Sequence, residues 1–455
     1  MEIIKKGDKK VIGIISKKNI SDDVLYRASG FVYPYAENGV YLLRNTLTGQ
    51  VARLSENEWM AFEQLTKKTV EFSFITENGL EELARLRFIV ENDYSEVVQY
   101  KQVIDILNMM ARKKPGLKTY TILPTTGCNA RCIYCYEQGI KTVTMTKETA
   151  DRLIEYICET HCDDEIKLSW FGGEPLLGHE TISYICRALR DRGVPFRSEM
   201  VTNATLTTKE MVHTAKALWN LKKMQISLDG MPEDYEKKKN YYLPEKHNHE
   251  VVIKAIHYFA DEGIEIQFRV NFDRENISRM KNYLDFLKAE FGEYENISVY
   301  LGLLIQEKHS DKCVELYREM FELQKYMRQI GLRQGSKEKQ KLRIRMNYCM
   351  ADSMDSSIII DPQGNFYHCE HLPENLSWGN IFDGCKDTEL FERLKTTAEI
   401  DEKCKSCAFL PYCTPFYKQG CPGWFDHCDK YMAMKTEYSL SNIISSLNKE
   451  IQEQS

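Results

Sequence analysis

The sequence predicts an α/β protein: a partial (β/α)6 barrel with an N-terminal winged-helix-like α+β module and a cysteine-rich C-terminal domain. Three observations carry this. Strand-like runs alternate with helical patterns six times between residues 119 and 304. The first 92 residues place short β-rich runs ahead of short helices. Of the 15 cysteines of the 455-residue chain, three lie within eight residues at Cys128, Cys132 and Cys135, and five within residues 404–428. Length and a 43% hydrophobic content allow a large core and several domains.

Residues 1–92 form the first module. Phe31–Tyr35 and Val40–Arg44 read as strands, and Gly49-Gln50 turns into Val51–Leu54. Ser55 caps a helix, with Glu58 completing a capping box and Trp59, Phe62 and Leu65 on one face. A second helix is expected around Leu80–Leu86. Residues 93–116 hold a linking helix with Val103, Ile106, Leu107 and Met110 as its apolar stripe. The barrel spans 117–310, with strands expected at Thr119–Leu123, Ile166–Trp170, Ser198–Thr202, Met224–Leu228, Ile264–Val270 and Ile297–Leu304. Six alternations imply parallel strands with crossover helices, two units short of an ordinary closed barrel. A helical bridge, 311–346, leads to the C-terminal domain, 347–455, which ends in a helix carrying Leu440, Ile443, Ile444, Leu447 and Ile451 on one side.

Several function classes are disfavoured. No apolar run approaches the ~20 residues of a membrane span, and the first 18 residues scatter lysines where a secretory segment would be apolar. A cytoplasmic location without a membrane partner is expected. A net charge of −6, from 61 basic and 67 acidic residues, offers no basic excess to a phosphate backbone, so no nucleic-acid partner is expected. An odd cysteine count in such a chain argues against a disulfide framework, and the clustering argues for metal.

The first cluster, Cys128-x3-Cys132-x2-Cys135, follows directly on the first barrel strand, where parallel α/β barrels carry their chemistry. Three thiolates at this spacing can hold three irons of a [4Fe–4S] cube and leave the fourth open. A zinc site with a remote fourth ligand is the alternative. Trp170-Phe171-Gly172-Gly173-Glu174-Pro175 closes the second strand, and its glycines would let backbone approach a ligand. Thr202-Asn203, Ser227-Leu228-Asp229-Gly230 and Arg269-Val270-Asn271 bring polar groups to three further strand ends. Cys158, Cys162 and Cys186 fall in helical patterns and read as packing.

The cysteine motif, with Tyr134 before its last thiol, resembles the radical S-adenosylmethionine (SAM) superfamily. That resemblance implies that the methionyl group of SAM chelates the open iron. It also implies that Gly172, Gly173, Glu174 and Pro175 contact the methionyl amino group, and that Asn203, Ser227 and Arg269 line the ribose and carboxylate. Lys239 falls near where relatives often carry an arginine.

The second cluster comprises Cys349, Cys369, Cys404-x2-Cys407-x5-Cys413, Cys421 and Cys428. It resembles the SPASM extension of radical SAM peptide-modifying enzymes, which makes the C-terminal part an iron–sulfur domain. By that resemblance Cys404, Cys407, Cys413 and Cys428 hold an outer auxiliary [4Fe–4S] cluster, and Cys349, Cys369 and Cys421 an inner one. Seven residues separate Cys413 from Cys421 where the family has three, and no thiol stands shortly before Cys349, leaving only Cys313 or Cys385 as substitutes. An open inner iron is the resulting hypothesis; a zinc ribbon is the alternative.

Three [4Fe–4S] clusters and SAM are thus the implied cofactors, with an external one-electron reductant of flavodoxin or ferredoxin type. The first module is similar to leader-recognition domains, so the expected substrate is a ribosomally made precursor peptide with a leader. The expected product is a sulfur-to-carbon thioether crosslink made through a 5′-deoxyadenosyl radical. A carbon–carbon crosslinking maturase, an anaerobic formylglycine-generating maturase and a non-enzymatic iron–sulfur carrier are the competing readings. No catalytic acid or base can be picked from the residues.

Overall fold

Alternation of side chains builds the central sheet. In the strand Phe196–Thr202 the residues Phe196, Ser198, Met200 and Thr202 are buried, while Arg197, Glu199 and Val201 between them are half-exposed. Ile166–Trp170 and Leu221–Leu228 repeat the pattern. One face of the sheet is therefore apolar and is packed under helices; the other carries polar groups such as Ser169, Gln225, Ser227 and Arg269. The computed structural model describes residues 1–15, 22–111, 116–162, 164–335, 344, 356–369, 376–395, 400, 402–412 and 427–454.

The six barrel strands are Thr119–Ile122, Ile166–Trp170, Phe196–Thr202, Leu221–Leu228, Glu265–Phe272 and Ile297–Leu303. They pair in sequence order, every pair parallel. Helices Lys147–Thr160, His179–Asp191, Lys209–Ala217, His249–Asp261 and Met280–Phe291 lie between them in the chain. Residues 333–335 run along the outer edge of the last strand through bonds to Val299, and among the described residues no strand closes it onto the first.

The sheet grows in the other direction instead. Ser357–Ile360 pairs in parallel with the first strand, and Asn365–Tyr367, Gly379–Asn380 and Gly384–Cys385 extend it to ten strands by antiparallel pairing. The alternation argument misses this seventh parallel strand because Ile358, Ile359 and Ile360 form a continuous buried run without a period.

The chain divides into two compact units. One comprises Met1–Lys113, Lys341–Tyr348 and Ala398–Ser455; the other, Lys114–Gln340 and Cys349–Thr397, contains the large sheet. In the first unit, strands Glu2–Lys6, Gln50–Leu54, Val40–Asn45 and Val32–Glu37 form an antiparallel sheet in that spatial order. The capping box at Ser55 is present, with Glu58 accepting from the Ser55 backbone N–H at 2.8 Å. The helix expected around Leu80–Leu86 is Glu81–Arg85, and a further short helix, Phe72–Glu77, precedes it. The linking helix is Glu96–Ala111, and its buried stripe is Tyr100, Val103, Ile104 and Leu107. Ile106 and Met110 point outward, because the i, i+3, i+4, i+7 series starts at Tyr100 rather than at Val103.

The C-terminal helix, Cys428–Gln454, packs on the N-terminal sheet: Leu440 and Ile444 share a core with Leu42 and Val51. Arg44 is fully buried there, donating to the Tyr412 hydroxyl at 2.9 Å and to the Ser439 hydroxyl at 3.2 Å. Replacing it by methionine (Arg44→Met) strips the Tyr412 and Ser439 hydroxyls of this donor. The expected cost is about 1–3 kcal/mol, read as a lower urea midpoint by circular dichroism.

Candidate active site

The loop that leaves the first barrel strand carries Cys128, Cys132 and Cys135. Its base is closed by strand-like pairing: Thr126 N–H donates to Val143 carbonyl at 2.9 Å and Met145 N–H to Pro124 carbonyl at 2.9 Å. All three thiols are partly exposed and none is in a disulfide. Burial pushes the Cys128 thiol up to about 12, and burial likewise raises Cys132 and Cys135. Bound metal reverses that order by stabilising the thiolate. The Ala130 N–H already points at Cys128 Sγ at 3.4 Å. Among the described residues no three His, Cys, Asp or Glu side chains converge as around a single ion. Each thiolate of an iron–sulfur cube ligates its own iron, so the loop fits a cluster without such convergence.

The second strand end is stitched to this loop. Gly173 N–H donates to Thr125 carbonyl at 3.2 Å and Glu174 N–H to Gly127 carbonyl at 2.8 Å. A Cβ on Gly172, whose φ is +120°, would stand 2.3 Å from Thr125 O; one on Gly173 would stand 2.3 Å from Gly127 O. Both glycines are therefore required by the neighbouring loop backbone. The Glu174 carboxylate also turns inward. It accepts from Thr202 Oγ1 at 2.6 Å, Asn203 N–H at 2.7 Å and Leu176 N–H at 3.1 Å, and is 1% exposed. Burial raises its pKa, and these donors oppose the rise. Pro175, buried, starts the short 3-10 turn that follows. Among the described residues the Gly172 and Gly173 carbonyls accept no hydrogen bond, which leaves them to an outside donor.

The third strand end joins through amides. Asn203 Nδ2 donates to Asn129 Oδ1 at 2.8 Å, and Asn129 Nδ2 to Thr205 Oγ1 at 3.1 Å. At the fourth and fifth ends, Ser227 and Arg269 are cross-strand neighbours. The Ser227 hydroxyl has no partner among the described residues. The Arg269 guanidinium makes one bond, from Nε to Asn271 Oδ1 at 2.9 Å, and no ion pair among them. A side chain at Gly302 would reach within 3.1 Å of Arg269 Nε, so this glycine keeps room for the arginine.

A buried polar hub lies behind the loop. Tyr134 donates to Asp229 Oδ2 at 2.8 Å, Asn271 Nδ2 to Asp229 Oδ1 at 2.8 Å, and Lys239 Nζ to the Tyr134 hydroxyl at 3.0 Å. Burial pulls Lys239 down, but Asp229 more than reverses this and the ammonium stays charged. Burial, then Asp229, raises Tyr134. The main chain of 238–242 clasps the same loop: Ile133 N–H donates to Lys238 carbonyl, Arg131 N–H to Lys239 carbonyl, and Tyr242 N–H to Asn129 carbonyl, at 3.0–3.1 Å. Asn129 is thus a site residue not singled out from sequence, and Asp229, Asn271 and Lys239, noted there without an assigned contact, join the same site. A polar residue at each successive strand end was the available signal.

Of the second cysteine cluster, Cys349, Cys413 and Cys421 lie outside the described residues. Cys404 and Cys407 belong to one turn, with Cys407 N–H donating to Cys404 carbonyl at 3.1 Å, and Cys428 opens the C-terminal helix. Burial raises the Cys407 thiol, and nearby Cys428 adds to it. All three are in the first unit; Cys369 is in the second, just past the strand Asn365–Tyr367. Cys385 is exposed two strands from that one, about 10 Å across the sheet. Cys313 is fully buried at the start of helix Cys313–Gln329. Cys186 is buried in a helix as expected, whereas Cys162 follows its helix and Cys158 is half-exposed.

Alanine at position 173 would drive Cβ into the Gly127 carbonyl. Gly173→Ala is expected to cost about 1–3 kcal/mol and to lower iron uptake at the three-cysteine loop, measured by thermal melting and iron content after reconstitution.

Residues 122–287 match the Radical SAM superfamily. An uncharacterized protein of Methanocaldococcus jannaschii is 26% identical over 275 residues, 59% of this chain and 90% of the relative. Among solved structures, anSMEcpe with bound AdoMet aligns at a TM-score of 0.57 with 16% identity, covering 74% of this chain and 100% of that one. Streptococcus suis SuiB bound to precursor peptide SuiA aligns at 0.51 with 16% identity, covering 89% and 99%. No helix among the described residues is long and apolar enough to cross a membrane. Residues 122–287, with the three-cysteine loop at their first strand end, are a radical SAM segment, and the chain is an enzyme of that class.

Proposed function

We propose that the enzyme matures a ribosomally made peptide, installing a thioether between a cysteine sulfur and an acceptor carbon. The observation that carries the cofactor half of this reading is the set of unsatisfied groups around the cysteine loop. Free carbonyls at Gly172 and Gly173 suit an ammonium, and the unpaired N–H groups of Arg269, beside the free Ser227 hydroxyl, suit a carboxylate. Together they complement the amino-acid end of SAM, with Asn203 and Tyr134 framing the rest. Cys128, Cys132 and Cys135 would hold a [4Fe–4S] cluster, as the superfamily does. With SAM bound, the cluster supplies one-electron cleavage to methionine and a 5′-deoxyadenosyl radical able to take hydrogen from an unactivated carbon.

The chain's own contribution is placement. Glu174, Asn129 and the 238–242 clasp hold the loop, and Arg269 and Ser227 hold the zwitterion. Auxiliary [4Fe–4S] clusters on Cys404, Cys407, Cys413 and Cys428, and on Cys349, Cys369 and Cys421, would accept the electron released when sulfur bonds to carbon. An external flavodoxin- or ferredoxin-type donor would supply the first electron. The peptide half rests on the fold shared over most of the chain with SuiB, a protein solved with its precursor peptide. The module of residues 1–92, with its antiparallel sheet and short helices, would offer a sheet edge to a leader.

Anaerobic reconstitution is expected to load about twelve irons from three four-iron clusters and to release 5′-deoxyadenosine from SAM with dithionite. Cys132→Ala should abolish release. Arg269→Ala should weaken SAM binding roughly 10–150-fold, the worth of a charge-assisted pair, measured by anaerobic calorimetry. With a leader-bearing precursor, the product should lose two hydrogens and one alkylatable thiol per crosslink. Loss of two hydrogens with every thiol retained would indicate carbon–carbon crosslinking; an aldehyde formed without any leader would indicate formylglycine formation.

A further inference from the structure

Three consecutive lysines end the helix Pro232–Lys239, and each has a different fate. Lys237 is exposed and pairs with Glu275. Lys238 is buried and pairs with Asp273. Lys239 is buried against the cysteine loop: its side chain is 4% exposed and its Nζ lies 3.3 Å from Asp229 Oδ2. The same ammonium donates to the Tyr134 hydroxyl and stands 5.7 and 5.6 Å from the Tyr134 and Tyr235 ring centroids. The Lys239 carbonyl receives the Arg131 N–H, so both ends of this residue hold the loop between Cys128 and Cys135. The buried Asp229 carboxylate accepts from Tyr134 of this loop, and the backbone N–H of Glu174, also buried, donates to the Gly127 carbonyl.

Reduction adds one negative charge to a thiolate-ligated cluster, and in a low-dielectric setting a fixed cation favours that state while a fixed carboxylate opposes it. We propose that Lys239 and Asp229 set the reduction potential of the SAM-binding cluster with opposite signs, Lys239 being a positioning residue that fixes Tyr134 and not a ligand of the SAM carboxylate. This rests on the reading that Cys128, Cys132 and Cys135 hold that cluster.

The test uses the full chain, reconstituted with iron and sulfide and titrated with dithionite in the presence of SAM. The signal followed is the electron paramagnetic resonance signal that changes shape when SAM is added. Lys239→Met is expected to lower its midpoint potential, Asp229→Asn to raise it, and Lys239→Arg to restore the unsubstituted value. A merely loosened loop would move the first two in the same direction; that result, or unchanged midpoints, overturns the proposal. If only one of the two variants folds, the sign of its shift decides. Absence of any SAM-responsive signal in the unsubstituted protein would remove the cluster reading itself, a separate failure.

Discussion

The site depends on one close contact, the backbone of Gly172–Glu174 lying against the backbone of Thr125–Gly127. Two strand ends can meet this closely only where side chains are absent, which is why both positions are glycine. Once they meet, Glu174 is carried into the interior, and a buried carboxylate there must be satisfied. Thr202, Asn203 and Leu176 provide the donors, and that requirement draws the third strand end into the assembly. Asn129 then ties the third end back to the cysteine loop. On the other side Asp229 does the same for the fourth and fifth ends through Tyr134, Asn271 and Lys239. The loop is thus fixed by satisfied polar groups on both flanks.

The other cysteine-bearing turn is supported by a different device. Cys404, Cys407 and Cys428 belong to the unit whose core is the N-terminal antiparallel sheet. Phe409, Tyr412 and Met432 pack with Tyr33, and Thr46 donates to the Ala408 carbonyl at 2.5 Å. The residues that would bind a leader and those that would hold the outer auxiliary cluster are therefore parts of one folded body, although some 300 residues separate them in the chain. Removing residues 1–92 to test leader binding would expose the apolar face of the C-terminal helix as well, which makes a leaderless peptide the cleaner probe.

Much of this was legible in the sequence. The strand-like runs located all six barrel strands to within a few residues. The Ser55 capping box was visible because it is local. What escaped was non-local. Ser357–Ile360 carries no period, so only its pairing partner makes it the seventh parallel strand. The linking helix kept its period but not its phase, since the stripe depends on where Tyr100 docks. Gly172 and Gly173 were singled out, but their closeness to the loop backbone depends on what the second strand end touches and was not legible. Lys239 looked like a substituted ligand residue in the sequence and proves to be half of a buried pair, which only the placement of Asp229 and Tyr134 reveals.

The most direct test of the central claim is spectroscopic: the electron paramagnetic resonance spectrum of the dithionite-reduced, reconstituted protein before and after adding SAM. A SAM-dependent change in the signal that disappears in Cys132→Ala and persists in Cys407→Ala is the expected result, because it assigns SAM to the loop at the first strand end. A spectrum indifferent to SAM, or one whose response survives in Cys132→Ala, would contradict the account.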